Sequence, residues 1–225
     1  MAKPYFRNLP NFEYVNRTSS DDGRSSNDYT TVKNLFKRGK LREDIFQNTT
    51  IFTKYTIEGD DRPYNVANKI YGDPNLDWVV LVANNIVNIQ SEWPMSQADF
   101  NTYLDEKYDS TTTTSDIHHY EANEVADSNG VVIIPQGMRI GVGQSVSFYD
   151  FWNDQQITAT NIALPVTNLD YEIKLNNNKR NIYILKTKYL GIVFDDMEEM
   201  MEYKEGSTQY VSETLVRGEN PRLYN

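Results

Sequence analysis

Residues 55–86, YTIEGDDRPYNVANKIYGDPNLDWVVLVANNI, contain two helix starts close together. The aspartates at 60–61 come shortly before Pro63, and Asp73 comes directly before Pro74. An acidic side chain in such a position accepts hydrogen bonds from the free N–H groups of the first turn, whereas proline has no N–H group to leave unpaired. The stretch therefore predicts two consecutive helices.

Apolar residues follow each start at the spacing of one helical face. The two sets are Val66, Ala67, Ile70 and Tyr71 for the first helix, and Leu76, Val79, Val80 and Ala83 for the second. Gly72 is expected to end the first helix, and Asn84 with Asn85 the second. A β-prone run precedes the helices at residues 52–57, and residues 86–89 are expected to return as a strand. The predicted unit is β-α-α-β, about 35 residues long.

The rest of the chain mixes helical and strand patterns, so the predicted fold class is α+β. Four segments are predicted: 1–49, an N-terminal arm and helix; 50–108, the β-α-α-β module with a following helix; 117–203, a β-rich domain that ends in a helix; and 204–225, an extended tail. Ser96 and Asp99 form a capping box at the start of the helix that follows the module. The polar run at 109–116 predicts a linker, and residues 161–174 are expected to be extended.

Composition argues against several classes of partner. The chain carries 32 acidic and 22 basic residues, for a net charge of −10. Proteins that bind nucleic acid nonspecifically neutralise phosphates with Lys and Arg, so no nucleic-acid partner is expected. The one basic cluster is short and consists of Lys33, Lys37, Arg38, Lys40 and Arg42. The densest apolar run, residues 78–83, is far shorter than the ~20 residues that span a bilayer, and residues 1–10 lack the apolar stretch of a signal peptide, so no membrane partner is expected.

Residue types that carry chemistry are sparse. There is no cysteine, and the two histidines are adjacent, His118 and His119. Neighbouring residues of a strand point to opposite faces, so this pair is not expected to hold one metal ion. The acidic run at 195–199 lies opposite an apolar helical stripe, which indicates a solvated face. The sequence thus predicts no catalytic, metal or cofactor site and no small-molecule substrate: the protein is not expected to be an enzyme.

The β-α-α-β stretch resembles a LysM module in its strand, its Gly59-Asp60 turn, its Tyr71-Gly72 helix end and its closing asparagines. The longer string RPYNVANKIYGDPNLDWVVLVANN resembles the signature of the LysM-containing baseplate wedge proteins of T-even-like contractile-tail phages, the gene product fifty-three type. Four further segments are similar to cyanophage members of that family: KNLFKRGKLREDIF, SEWPMSQADFNTYLDEKY, IHHYE and VTNLDYEIKLNNNKRNIYILKTKYL.

The resemblance implies a structural subunit of the virion, in the tail baseplate, that is assembled in the host cytoplasm. Its implied partners are other wedge proteins and neighbouring wedges, which such subunits join into a ring by protein–protein contacts. No cofactor is implied. The residues expected at the interface are Arg62, Tyr64, Trp78, Asn84, Asn85, Trp93 and Trp152. The arms at both ends are expected to become ordered on a partner.

An alternative function stays open because LysM modules also bind peptidoglycan, a polymer that contains N-acetylglucosamine. Such modules use the two loops beside the helices, here residues 59–62 and 84–88. Amides and exposed aromatic rings suit a sugar site, and Asn84, Asn85, Asn88 and Tyr64 are of those types. Asparagine in these positions is more commonly a helix cap or a turn former.

Overall fold

The computed structural model describes residues 4–15, 29–108, 111–206 and 209–218. Contacts divide the chain into two units. The first comprises Met1–Trp93 with Asn181–Asn225, and the second comprises Pro94–Arg180. Helices and strands occur in both units, which confirms the α+β class. The predicted segments 50–108 and 117–203 each contribute to both units, because the chain leaves the first unit after Trp93 and returns to it at Asn181.

Helices and strands are numbered in chain order. The helices are α1 (Tyr5–Asn8), α2 (Glu43–Gln47), α3 (Pro63–Tyr71), α4 (Asp77–Ala83), α5 (Ile89–Glu92), α6 (Gln97–Lys107), α7 (Thr111–Ser115), α8 (Asn168–Asn178) and α9 (Leu190–Met201). The strands are β1 (Asn11–Val15), β2 (Tyr29–Lys33), β3 (Phe52–Thr56), β4 (Ile117–Ala122), β5 (Val125–Ala126), β6 (Val132–Ile134), β7 (Arg139–Ile140), β8 (Val146–Asp150), β9 (Gln155–Ala159), β10 (Ala163–Thr167), β11 (Asn181–Leu185), β12 (Tyr210–Ser212) and β13 (Leu215–Gly218). Short 3-10 turns lie at Thr49–Ile51, Pro74–Leu76 and Thr187–Tyr189.

Both predicted helix starts are present. Helix α3 begins with Pro63 in its first turn and ends at Gly72, whose φ of 72° lies in the left-handed region that glycine adopts without strain. Asp73 caps the 3-10 turn that leads into α4 by accepting a hydrogen bond from the Asn75 N–H group at 2.9 Å. The expected cap by an aspartate at 60–61 is wrong, because Arg62 holds the N-cap position of α3.

The strand that completes the β-α-α arrangement comes from the far end of the chain. Strand β3 pairs antiparallel with β11, from Phe52 opposite Leu185 to Thr56 opposite Asn181. The expected strand at residues 86–89 is wrong, because residues 86–88 form a loop and Ile89 begins α5. The Glu92 carboxylate accepts hydrogen bonds from the Val87 and Asn88 N–H groups, at 2.6 and 2.8 Å, and so occupies the donors that a strand partner would need.

The core of the first unit lies between this strand pair and helices α3, α4 and α9. Its members are the buried apolar side chains of Leu9, Leu41, Ile45, Ile51, Ile57, Val66, Ala67, Leu76, Trp78, Val79, Val80, Ala83, Trp93, Ile182, Ile184, Leu185, Leu190, Val193, Met197 and Met201. Burial of this many apolar side chains is the main favourable contribution to folding. The predicted C-terminal helix is present as α9, and it buries Val193, Met197 and Met201.

The two ends of the chain meet in a four-stranded sheet of order β12-β13-β1-β2. Strand β1 pairs parallel with β13, from Asn11 opposite Leu215 to Tyr14 opposite Gly218. A Cβ atom at Gly218 would lie 2.7 Å from the tip of the Phe12 ring, so any other residue would force the ring to shift. Parts of the predicted arm and tail are therefore ordered on each other. The rest of both segments, 1–3, 16–28, 207–208 and 219–225, lies outside the described residues.

The second unit combines a three-stranded sheet of order β10-β4-β7 with two hairpins, β5-β6 and β8-β9, and the helices α6–α8. Helix α6 starts at the predicted capping box, where the Ser96 hydroxyl accepts from the Asp99 N–H group at 3.1 Å. The expected linker includes α7, which is held by a hydrogen bond from the Asn168 amide to the Thr113 carbonyl at 2.7 Å. Residues 109–110 of that linker lie outside the described residues.

Part of the segment expected to be extended is helical. Residues 168–174 lie in α8, whose start is a second capping box. The Thr167 hydroxyl accepts from the Asp170 N–H group at 3.1 Å and donates to the Asp170 carboxylate at 2.7 Å. The signal was present in the sequence as Thr-x-x-Asp, the same pattern as at Ser96.

Candidate protein interface

Trp78 is a core residue. It is 3% exposed and lies between the rings of Tyr5 and Phe194, with centroid distances of 6.2 and 6.0 Å. Tyr5 belongs to α1, and its hydroxyl accepts a hydrogen bond from the Gly39 N–H group at 3.1 Å. The indole of Trp78 thus supports the surface above it.

Trp93 is also buried, with an exposed fraction of 1%. Its indole N–H group donates to the Asp61 carbonyl at 2.9 Å, so it fixes the loop before α3. The same loop is held from the other side by an ion pair between Asp61 and Lys69. Arg62 and Tyr64 follow this loop on the surface, and Tyr64 is 51% exposed.

Asn84 and Asn85 have structural contacts at the end of α4. The Asn84 side chain exchanges two hydrogen bonds with the Tyr183 backbone of β11, and its amide also donates to the Val80 carbonyl. Asn85 has a φ of 53°, the left-handed conformation that asparagine tolerates better than most residues. The Asn85 side-chain oxygen, Oδ1, accepts a hydrogen bond from the Arg38 guanidinium at 3.1 Å.

The loop after α4 is organised by Glu92. Hydrogen bonds from the Asn88 and Val87 N–H groups stabilise the carboxylate and lower the pKa of Glu92. Asn88 in turn caps α5 by accepting from the Gln90 N–H group at 3.0 Å. As a result Val87 projects from an ordered loop and Ile89 from the start of α5, with exposed fractions of 64% and 41%.

A groove of about 490 Å³ lies beside this loop. Its apolar lining consists of Tyr5, Phe6, Trp78, Leu81, Val82, Ile86, Val87 and Ile89, and Arg38 and Asp77 also border it. Phe6 is 64% exposed. Sequence reasoning missed this groove, because α1 reaches it from a segment predicted as an arm. The available signal was the set of apolar residues at 86–89, which we assigned to a strand.

Trp152 lies in the second unit, on the turn between β8 and β9, and is 74% exposed. The residues predicted for the interface are therefore distributed over both units. Arg62, Tyr64, Asn84 and Asn85 belong to the surface of the first unit, Trp78 and Trp93 lie beneath it, and Trp152 belongs to the other unit.

The predicted basic cluster makes contacts within the chain. The Lys37 ammonium donates to the carbonyls of Met200, Met201 and Glu202 at the end of α9, at 3.4, 3.2 and 2.7 Å. A positive charge at that end complements the helix dipole. Partial burial lowers the pKa of Lys37, and the nearby Glu202 carboxylate opposes this effect. Arg42 forms ion pairs with Asp44 and Asp196, and Lys33 donates to the Leu9 carbonyl.

The two histidines are closer than the sequence predicted. Their Nδ1 atoms lie 2.8 Å apart, and the His118 ring stacks on Tyr171 with a centroid distance of 4.0 Å. The expectation that they point to opposite faces is wrong, because the pairing of β4 with β10 shifts register between Val166 and Thr167, opposite this pair. Such a bulge breaks the strict alternation of side chains.

Metal-ligating side chains do not cluster in the part of the chain that the structure describes: it contains no group of three or more His, Cys, Asp or Glu that could hold an ion. None of the helices in the described ranges has both the length and the apolar character that a bilayer crossing needs.

The chain is similar to known baseplate proteins of phages. The family profile described as base plate wedge protein 53 matches residues 6–199. The baseplate wedge protein gp53 of Enterobacteria phage T4 is 31% identical over 90 residues, which are 36% of this chain and 46% of the T4 protein. The chain thus matches less than half the length of that relative.

Proposed function

The chain belongs to the base plate wedge protein 53 family, and from that premise we propose that it joins neighbouring wedges into the baseplate ring through protein–protein contacts. Membership of the family makes it a structural protein of a phage tail baseplate. The joining of wedges, the other wedge proteins as its partners, assembly in the host cytoplasm and the absence of catalysis are parts of the proposal.

The apolar groove beside α4 and α5 is the observation that supports this proposal most directly. Its rim exposes Phe6, Val87 and Ile89. Their apolar surface stays in contact with water unless another molecule covers it. The groove floor is well packed, because Trp78 is buried beneath it, and the loop at its edge is held by hydrogen bonds to Glu92. A preformed apolar groove binds an apolar segment with little cost in ordering. We propose that its occupant is a segment of another wedge protein.

Light scattering tests the proposal on the full chain. The mass is measured for the protein alone and after mixing with the other wedge proteins of the same baseplate, over a range of concentrations. We expect a larger complex only in the mixture. Failure of the chain to enter any complex with the wedge proteins would contradict the assembly function.

Matched variants connect the result to the groove. Ile89→Asp places a charge on the groove rim, whereas Ile192→Asp places the same charge on α9, outside the groove lining. The two isoleucines are similarly exposed, 41% and 44%, so the substitutions should perturb folding similarly. We expect Ile89→Asp alone to reduce complex formation. Equal complex formation by both variants would show that the groove is not the contact.

Peptidoglycan binding is tested on the same sample by sedimentation with purified peptidoglycan. The hydrogen bonds of Asn84 to Val80 and Tyr183 occupy an amide that a sugar site would need. We therefore expect the protein to stay in the supernatant. Saturable sedimentation that Asn85→Ala and Asn88→Ala abolish, without a complex with wedge proteins, would favour the glycan-binding alternative.

A further inference from the structure

The end of β8 and the turn that follows it expose three aromatic side chains within four residues. Phe151 is 85% exposed, Trp152 is 74% exposed and Tyr149 is 46% exposed. The rings of Tyr149 and Phe151 contact each other edge to face, with a centroid distance of 5.1 Å. Aromatic rings so exposed leave a large apolar area in water, and such residues are the commonest energetic anchors of protein interfaces.

The residue between them is buried and fixes the turn. Asp150 has no exposed surface, and its carboxylate accepts hydrogen bonds from the Ser128 hydroxyl, the Asn153 amide at 2.8 Å and the Trp152 N–H group at 3.1 Å. The Asn153 amide also donates to the Ser128 hydroxyl at 2.6 Å. Ser128 belongs to the turn between β5 and β6, so the two hairpins are tied together at this point.

The other side of the turn is held by Asp154. Its φ of 53° closes the turn in the left-handed region, and its carboxylate accepts a hydrogen bond from the Tyr149 hydroxyl. Phe151 and Trp152 are thus displayed on a turn whose backbone is fixed at both ends. Side chains that are ordered before binding lose less conformational entropy when a partner covers them.

The charges around the turn indicate which partner it fits. The second unit, residues 94–180, contains twelve Asp and Glu against five Lys and Arg. The unit that carries the aromatic turn therefore has a net negative charge, and Asp154 lies on the turn itself. Acidic surroundings repel anionic lipid headgroups and nucleic acid, and they attract a surface that carries Lys or Arg.

We propose that Phe151 and Trp152 form a preorganised anchor that inserts into an apolar pocket of another wedge protein, with Lys or Arg at the rim of that pocket. This inference rests on the proposed function, and it names the contact that the second unit makes. It is independent of the groove in the first unit, since no residue is shared between the two surfaces.

The three tryptophans allow the anchor to be observed directly. Trp78 and Trp93 are buried in the first unit, whereas Trp152 is exposed, so a chain labelled with 5-fluorotryptophan should give one solvent-exposed fluorine resonance. Trp152→Phe assigns that resonance. On addition of unlabelled wedge proteins of the same baseplate, we expect the Trp152 resonance to shift and to lose its solvent exposure. Neutral and anionic phospholipid vesicles, and purified peptidoglycan, serve as the competing ligands and should leave it unchanged.

Variants measure the strength and the charge dependence of the contact. Trp152→Ala should weaken binding to the wedge partner on the order of thirtyfold, the size of a central anchor. Phe46→Ala, a half-exposed phenylalanine of the first unit outside the groove lining, should bind as the unmodified chain does. Asp154→Asn removes a charge but keeps a side-chain oxygen that can accept the hydrogen bond from Tyr149. This variant should bind the wedge partner a few-fold more weakly, and its affinity should depend less on the salt concentration.

The outcomes distinguish a failure of the proposed anchor from a failure of the proposed assembly function. If the chain enters the wedge complex and the Trp152 resonance does not change, the anchor is wrong and the assembly function stands. A shift produced by vesicles or peptidoglycan in place of wedge proteins also overturns the anchor. If the chain enters no wedge complex, both proposals fail.

Discussion

Asn84 and Tyr183 exchange two hydrogen bonds although they are 99 residues apart in the sequence. The Asn84 amide donates to the Tyr183 carbonyl at 2.8 Å, and the Tyr183 N–H group donates to the Asn84 side-chain oxygen at 2.7 Å. The amide side chain thus occupies the donor and acceptor that a neighbouring strand would use on this edge of β11. It joins the end of α4 to the strand pair and does so in place of the expected second strand of the module.

Removal of that contact should destabilise the first unit. Asn84→Ala leaves the Tyr183 N–H and carbonyl groups to water, and we expect a loss of about 1–3 kcal/mol in the free energy of unfolding. Urea denaturation measures the loss. Asn68→Ala, an exposed asparagine in α3, is the matched control and should change stability little or raise it slightly, because alanine favours a helix. Equal stability of the two variants would show that the side chain of Asn84 does not join the elements.

Gly39 gives a prediction about packing. A methyl group at this position would overlap the Cε and Sδ atoms of Met197, so the methionine would have to move within the core. We expect Gly39→Ala to cost about 1–3 kcal/mol in the free energy of unfolding.

Gly191 is the control for Gly39, because nothing lies within 4 Å of an added methyl group there. Gly191 belongs to α9, so Gly191→Ala should stabilise the helix by about 0.5–1 kcal/mol. Thermal denaturation of both variants would show opposite shifts of the transition temperature. A stabilising Gly39→Ala would mean that the Met197 side chain has another position available.

Glu172 makes the stability of the second unit depend on pH. Burial opposes its charged form, but hydrogen bonds from Lys107, Tyr108 and Tyr103 outweigh this and lower the pKa of Glu172 below its usual value. A lowered pKa in the folded state contributes stability at pH values above the pKa of the unfolded chain. That contribution is lost as the pH falls through the folded-state pKa.

Comparison with Glu172→Gln tests this dependence. The variant should be less stable at neutral pH by about 1–3 kcal/mol, because the charged hydrogen bonds are lost, and the difference should shrink as the carboxylate of the unmodified chain becomes protonated. Urea denaturation at a series of pH values measures the difference. Glu106→Gln, an exposed glutamate of α6, should show no comparable change with pH. A difference that grows in acid would contradict a lowered pKa of Glu172.

Local signals in the sequence were sufficient for elements whose ends are decided within a few residues. Pro63 and the Ser96 capping box mark the starts of α3 and α6, because the groups that satisfy the first turn lie next to it in the chain. The Thr167 capping box was equally visible and was missed, because the apolar residues around it alternate with polar ones. Its recognition would have predicted α8.

The sequence did not show which of the tryptophans are buried. Trp78 and Trp93 are buried, whereas Trp152 is exposed, and each stands between one polar and one apolar residue in the sequence. What covers a side chain is decided by elements far away in the chain, in this case α1 and α9 around Trp78. The candidate groove was missed for the same reason, since one side of it is lined by α1, which lies well before the module in the chain.

The sequence alone determined the family, the α+β class and the two helices that begin at Pro63 and after Asp73. Each depends on a motif or on the spacing of neighbouring residues. Only the tertiary structure decided that β11 and not residues 86–89 pairs with β3, and that the ends of the chain meet in one sheet. Strand pairing is a choice among distant segments with similar β-propensity, and it depends on which pairing buries more apolar surface. β11 buries Ile182, Ile184 and Leu185, while Val87 and Ile89 are left at the surface.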